Sequence, residues 1–580
     1  MSACVASAIF FTTSLGSDKN CSLRVLGAEY HEFAWRQRSR LQGCNPFSQI
    51  RAAQSPLGAP RHRVKRASAS CTAEIESNPA LLLAGKVLMR RSFLIGVATT
   101  LALAACNDQQ GPTGNSDAVP DLGVSSSQGS TSYVIVFASS QASEVATAID
   151  RAGGKVKKLS ARAGLATASS DAADFADRVR RTSAVRSVVQ DMVVQWVPKE
   201  PARIVAEPAA GGATPTGSTE RFFPIQWALQ AIHAPQAWDA GALGRGARVA
   251  ILDGGIWDQH VDIAPNLDAQ RSTSFVPGVP FNFDNDASLF WHATHVAGIV
   301  AGADNNDNLG VMGVAPKATL IGVKVLDNGS GSFGQVIDGI IYAADRIKDG
   351  GAGADIINMS LGATFSLTSD PRTLALIDAL NQATTYAHAQ GALIIASAGN
   401  GDNQGHGINH DNGNYITIPA QSDHVLGVSA LAPVGYAFGS TNFDLLATYS
   451  NFGISIVDFS APGGDTQLQA SNGKDANCTL AINPAPPLSP TNTTTQPCYV
   501  YDMVVSSCRG TTTRNVCFAS GTSMAAPAVS GVAALIVGKQ GSMSPDALEA
   551  RLAASADDLG ATGVDAIYGR GRVNAFKAVQ

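Results

Sequence analysis

The strongest constraint on the fold is a set of five short apolar runs: Arg248–Leu252, Thr319–Leu326, Asp355–Ser360, Leu393–Ser397 and His424–Leu431. Runs that are apolar throughout, rather than alternating, mark strands buried on both faces. Between them lie stretches with helical spacing, Gln335–Lys348 and Thr373–Gln390. Strands alternating with helices predict an α/β domain with a doubly wound parallel sheet. In such a sheet, functional groups gather where the strands end. The polar residues at these ends are Asp253, Ser360 and Asn400.

This reading covers only part of the 580 residues. The chain is 45% hydrophobic and 15% charged, which excludes a wholly disordered protein. Its net charge of −5 argues against nucleic acid as a partner. The first 88 residues differ from the rest, with 11 Lys and Arg against 5 Asp and Glu, a net of +6. They read as an upstream extension or a disordered leader. Met89-Arg90-Arg91 is followed by an apolar run ending at Ala105, then Cys106. A basic start, a short apolar stretch and small residues form an export signal, 89–105, too short to be a stable spanning helix. Leu103-Ala104-Ala105-Cys106 resembles the lipobox of bacterial lipoproteins, which implies a lipid on Cys106 and an anchor in the cell envelope.

Residues 106–131 read as a tether. In 132–198, strand candidates Tyr133–Phe137, Leu165–Ser169 and Val188–Trp196 alternate with helices Ala142–Ala152 and Asp171–Arg181. With room for one more strand near Lys155–Leu159, the order fits a small α+β ferredoxin-like unit. Residues 199–220 are rich in Pro, Ala and Gly and read as a second linker. The α/β domain spans 221–580.

Three segments carry chemistry. Val249–Asp253 ends a strand on a carboxylate followed by Gly254-Gly255. His292-Ala293-Thr294-His295 opens a helix of small residues. Gly521-Thr522-Ser523-Met524-Ala525 places a serine at the start of an apolar helix. A serine hydroxyl becomes a useful nucleophile when a histidine takes its proton. A buried carboxylate fixes that histidine's tautomer, and the helix N-terminus behind the serine favours a developing oxyanion.

In the order Asp, His, Ser, these segments resemble the subtilisin-like serine proteases, the subtilases. The resemblance implies Asp253 as orienting carboxylate, His292 as general base and then acid, and Ser523 as nucleophile of an acyl-enzyme mechanism. Ala396–Asn400 matches the family's oxyanion motif and implies Asn400 as a donor to the tetrahedral intermediate. Ser360-Leu361-Gly362 and Gly329-Ser330-Gly331 resemble the two segments that hold a peptide substrate between them as a strand. The unit at 132–198 resembles the family's inhibitor-type propeptide, whose tail would lie in the cleft until autocleavage within 199–220. Two positions depart from the pattern: Gly254, where Ser or Thr is usual, and Ala293, where Gly is usual. His295, one turn after His292, reads as structural.

The polar run Asn305–Val311 resembles the family's calcium loop, implying ligands from Asp307, Asn305, Leu309 and Val311 with Asp262; oxygen donors suit Ca²⁺. No organic cofactor is implied. Cys478, Cys498, Cys508 and Cys517 lie in an insertion, 465–517, before the serine motif. In an exported chain they read as two disulfides in one of three connectivities. The expected protein is an exported, lipid-anchored serine endopeptidase acting on proteins or peptides. It would be made as a precursor that carries its own inhibitor.

Overall fold

A computed structural model describes residues 130–198, 202–205, 220–288, 290–304, 310–367, 370–402, 404–469, 476–482 and 493–580. The leader, the export signal and Cys106 lie outside them, as do Asn305, Asp307 and Leu309 of the calcium loop.

Residues 131–190 form an antiparallel sheet with two helices. β1 (Thr131–Phe137), α1 (Ala142–Arg151), β2 (Gly154–Ser160), β3 (Leu165–Ser170), α2 (Phe175–Arg180) and β4 (Val185–Gln190) follow one another, and the sheet order is β2-β3-β1-β4. This is the ferredoxin-like arrangement, and the additional strand is β2. Alternation along β1 gives the sheet two apolar faces. Ile135 and Phe137 pack with Val145, Ile149 and Phe175 beneath the helices. Val134 and Val136 point the other way and join the core of the larger domain.

The expected strand Val188–Trp196 is in fact two. After β4, the Asp191 carboxylate accepts from Met192 N at 2.9 Å and Gly334 N at 3.0 Å. The chain then resumes as β5 (Val193–Gln195) in a different sheet. The apolar pattern runs on through this break, because both halves are buried against the larger domain. The linker also contains a strand, β6 (Ala202–Val205).

The larger domain continues with β7 (Arg248–Asp253), β8 (Thr273–Ser274), α3 (His292–Ala301), β9 (Thr319–Lys324), β10 (Ser330–Ser332), α4 (Phe333–Ala344), β11 (Ile356–Met359), β12 (Ala363–Ser366), α5 (Pro371–Gln390), β13 (Leu393–Ser397), β14 (Tyr415–Ile418), β15 (Val425–Ala432), β16 (Leu445–Leu446) and β17 (Phe459–Pro462). The insertion supplies β18 (Asn477–Ala481), β19 (Thr493–Pro497), β20 (Val504–Ser507) and β21 (Val516–Ala519), and α6 (Thr522–Gln540) follows. The central sheet runs β16-β15-β13-β11-β7-β9-β8, with β17 beside β15. All its pairings are parallel except β15 with β16.

Helices cover both faces of this sheet. Val249 and Ile251 of β7 pack with α3 and α6, whereas Ala250 and Leu252 pack with α4 and α5. Helix α6 is long and apolar enough to cross a membrane, yet 89% of its apolar stretch is buried, as befits a core helix. Disulfides join Cys478 to Cys498 and Cys508 to Cys517. Each cysteine therefore pairs with its neighbour in sequence, and each bridge is local to the insertion.

Candidate active site

The C-terminal ends of the parallel strands and the N-termini of α3 and α6 converge on one place. Asp253 is the last residue of β7, His292 the first of α3, and Ser523 the second of α6. Asp253 is 1% exposed, so its charge needs partners. One carboxylate oxygen accepts from Gly254 N at 2.6 Å and the other lies 2.8 Å from His292 Nδ1. A proton on Nδ1 in this contact leaves Nε2 as the basic end of the ring. Trp291, just before the histidine, has φ 46°, a conformation that bulky residues adopt under strain. It is held by Arg509, whose guanidinium lies 4.5 Å from its ring centroid, and by Phe283 at 5.8 Å.

Asn400 is oriented by the residue preceding the serine. Its Oδ1 accepts from Thr522 N at 2.9 Å and Thr522 Oγ1 at 2.7 Å. With the oxygen so engaged, the donor end of the amide is turned away from Thr522. Ser523 is also anchored through its backbone, since its carbonyl accepts from Ser360 Oγ at 2.8 Å. Ser360 in turn accepts from Asn358 Nδ2 at 2.9 Å, and Asn358 Oδ1 accepts from Ser530 Oγ at 2.9 Å. The fully buried Asn358, and Ser530, equally buried and unmarked in the sequence reading, extend the site inward.

Gly254 has a physical reason. A Cβ there would lie 2.2 Å from Asp284 Oδ2. That carboxylate accepts from Gly255 N, Asp286 N and Asn328 N at 2.9–3.0 Å. It also faces the fully buried Lys324 at 3.6 Å, which pairs with Asp327 at 3.0 Å. The turn after Asp253 is thus tied to the turn before Gly329. Sequence reading missed Asp284 and Lys324, which lie in no motif. Ala293 is buried in the core cluster, so its methyl has a place.

Gly329–Gly331 and Ser360–Gly362 face one another across a cleft that the chain itself occupies. β5 pairs antiparallel with β10. Trp196 N donates to Gly329 O at 2.9 Å, Trp196 Nε1 donates to Gly331 O at 2.9 Å, and Gly362 N donates to Trp196 O at 2.9 Å. The indole is fully buried, 5.1 Å from the Phe333 ring. A Cβ on Gly329 would lie 2.4 Å from Val197 O, so the close backbone approach requires glycine.

The remaining candidates lie apart. His295 is buried and contacts Cys517 O at 3.1 Å; burial lowers its pKa to about 3, which leaves it neutral. His260 contacts Asn515 O at 2.8 Å, and burial lowers its pKa to about 4. Asp262 is fully buried, and its Oδ2 accepts from Val311 N at 3.0 Å. A buried carboxylate against the end of an oxygen-rich loop is donor chemistry that suits calcium. Among the described residues, no group of three His, Cys, Asp or Glu side chains is placed to hold a metal.

Comparison with known proteins decides the family. The pattern of the Subtilase family matches residues 244–571, more than half of the chain. The chain is a subtilase. It is 33% identical to thermitase of Thermoactinomyces vulgaris over 363 residues, 62% of this chain and 97% of thermitase. It is 30% identical to subtilisin DY of Bacillus licheniformis over 357 residues, 61% of this chain and 99% of that protein. Among solved structures, the epidermin leader peptide processing serine protease of Staphylococcus aureus superposes with a TM-score of 0.57. It shares 19% identity and covers 78% of this chain and 98% of its own, a likeness that shows the fold. This subtilase is a serine-type endopeptidase with a subtilisin-like α/β fold.

Proposed function

We propose that this subtilase hydrolyses peptide bonds through Asp253, His292 and Ser523, and that it is made as a precursor whose small domain inhibits it. Ser523 Oγ attacks the scissile carbonyl while His292 Nε2 takes its proton. Asp253 stabilises the resulting imidazolium. Asn400 and the Ser523 N–H donate to the oxyanion. His292 then protonates the leaving amine, and water repeats the sequence to release the acid. Gly329–Gly331 and Ser360–Gly362 hold the acyl side of the peptide as a strand.

The observation that carries the reading is the 2.8 Å contact between Asp253 and His292 at the strand ends that also position Ser523. The inhibitor role is supported by the tail at Trp196, which hydrogen-bonds to both substrate segments. Autocleavage would fall within 199–220 and release the small domain. The export signal and Cys106 add an envelope location and a lipid anchor. Calcium would be held by Asp262 and Val311 with Asn305, Asp307 and Leu309, and would supply charge compensation that stabilises the loop.

A fluorophosphonate probe should label Ser523 in the mature protein. Ser523→Ala should abolish labelling, casein hydrolysis and the size reduction of the precursor together. Mature wild-type protein that neither labels nor cleaves would refute the reading. Mass spectrometry of the same sample tests the lipid on Cys106 and the processed N-terminus.

A further inference from the structure

The insertion builds a second peptide-binding edge beside the serine. Strand β21 pairs with β20 on one side and with β6 on the other. β6 belongs to the linker rather than the insertion, so without it β21 is an open edge. The pairing is antiparallel, with Ala202 opposite Ala519, Arg203 opposite Phe518, Ile204 opposite Cys517 and Val205 opposite Val516. Ala202 therefore sits nearest the serine, because Ala519 precedes Ser523 by four residues. The chain lies against the acyl-side walls at Trp196 and Val197 and against β21 from Ala202 onward. The described residues thus meet the acyl-side walls first and β21 second, the order in which a substrate strand would run from its acyl to its leaving side.

We infer that β21 is a docking strand for the leaving side of substrates: an extended peptide pairs with Val516–Ala519 once β6 has gone. The inference rests on the hydrolase reading above. Strand addition of this kind derives affinity from the backbone and selectivity from alternate side chains. Two features make β21 suitable. The Cys508–Cys517 disulfide anchors it at its middle, and its four side chains are buried, which fixes the strand and leaves its outer edge for pairing. One side-chain preference can also be named. Arg203 Nε donates to Gln496 Oε1 on β19, so Gln496 reads the residue opposite Phe518 and selects a donor there. Ile204, 37% exposed, is left unread.

The test uses the mature enzyme and internally quenched peptides that share one acyl-side sequence. One set ends two residues after the scissile bond; the other continues for eight residues spaced as in 199–206. The longer set should gain about tenfold in kcat/KM, the worth of one or two net hydrogen bonds. N-methylation along the leaving side should remove the gain at every second residue, since antiparallel pairs alternate between bonded and non-bonded. Gln496→Ala should reduce cleavage only of peptides with arginine at the position that Arg203 occupies. Equal kcat/KM for both sets, with Ser523 still labelled by fluorophosphonate, would overturn the docking strand and leave the hydrolase reading intact. Absence of both labelling and hydrolysis would overturn the hydrolase reading, and the docking strand with it.

Discussion

In the proposed mechanism, the walls on the acyl side of Ser523 are two three-residue segments: Gly329–Gly331, which opens into α4, and Ser360–Gly362, which continues β11 of the parallel sheet. On the leaving side, the wall is β21, an antiparallel strand outside that sheet and pinned by a local disulfide. The first wall inherits its rigidity from a core with helices on both faces. The second is an addition whose order depends on its own crosslink and on two buried histidines beneath it. Core-built walls should change little with conditions, and the added wall should respond to them. Substitutions at the centre should not distinguish the two sides, and those in either wall should.

The largest effects lie at the centre. His292→Ala is expected to lower kcat by about 10⁶, and Asn400→Ala by about 10²–10³. Both magnitudes come from subtilisin, a relative of this chain. Steady-state assays with short and long peptides should show the same loss for each, because neither residue belongs to one side. A loss confined to long peptides would break the division between the two walls.

Next comes the tail in the acyl-side cleft. Trp196→Ala removes a wholly buried indole, and Trp→Ala changes in cores cost about 3–5 kcal/mol. In a Ser523→Ala precursor, hydrogen exchange at Ser330–Ser332 and Gly362 should rise more than a hundredfold, while Val516–Ala519 stays protected. Arg203→Ala should do the reverse on a smaller scale. If either substitution loosens both walls, the two sides form one unit.

These two walls were unequally legible in the sequence. The acyl-side segments sit at strand ends within short Gly and Ser motifs, and a parallel sheet places strand ends predictably. Asp253, His292, Ser523 and Asn400 were named as candidates for the same reason. β6 was hidden because Ala202–Val205 is a short strand in a Pro- and Ala-rich stretch, and its partner lies more than 300 residues away. The break at Asp191 was hidden because residues on both sides of it are apolar and buried. Asp284 and Lys324 were missed because a buried ion pair leaves no periodicity, although Gly254 was a mark of the space it requires. The four late cysteines left three connectivities open, and only the folded insertion selects one.

Acid should move the two regions in opposite directions. At the small-domain interface, burial raises Asp338 to about 6, partly offset by Lys158, and Asp338 accepts from Thr167 Oγ1 at 2.8 Å. Burial also raises Asp191. A carboxyl raised by docking favours the docked state below its ordinary pKa, near 4, and that preference is lost as pH rises through 6. The insertion behaves inversely. His260 and His295 hold the carbonyls of Asn515 and Cys517 with pKa values lowered by burial to about 4 and about 3. Lowered histidines give stability that is full above about 6.5 and is lost as pH falls toward 4. Release of the small domain from a cleaved complex should therefore accelerate from pH 4 to 6, by at most about tenfold per pH unit for each proton. The protection factors at Val516–Ala519, which correct for the intrinsic slowing of exchange in acid, should fall from pH 6.5 to 4. Asp338→Asn should flatten the first profile and leave the second unchanged.

The smallest effect concerns the polar chain that joins the acyl-side wall to the serine. Ser530 Oγ donates to Asn358 Oδ1, Asn358 Nδ2 to Ser360 Oγ, and Ser360 Oγ to the Ser523 carbonyl. All three side chains are fully buried, so removing one donor leaves an acceptor without water to replace it. Ser530→Ala should lower stability by about 1–3 kcal/mol in denaturant titration. Its effect on kcat/KM should be less than tenfold, because Ser530 touches no reacting atom. The cycle of Ser530→Ala with Asn358→Ala decides whether the residues act as a chain. A coupling energy above about 0.5 kcal/mol means that the hydroxyl acts through the amide. Additive losses mean that Ser530 only fills space in α6, and that the acyl-side wall ends at Ser360.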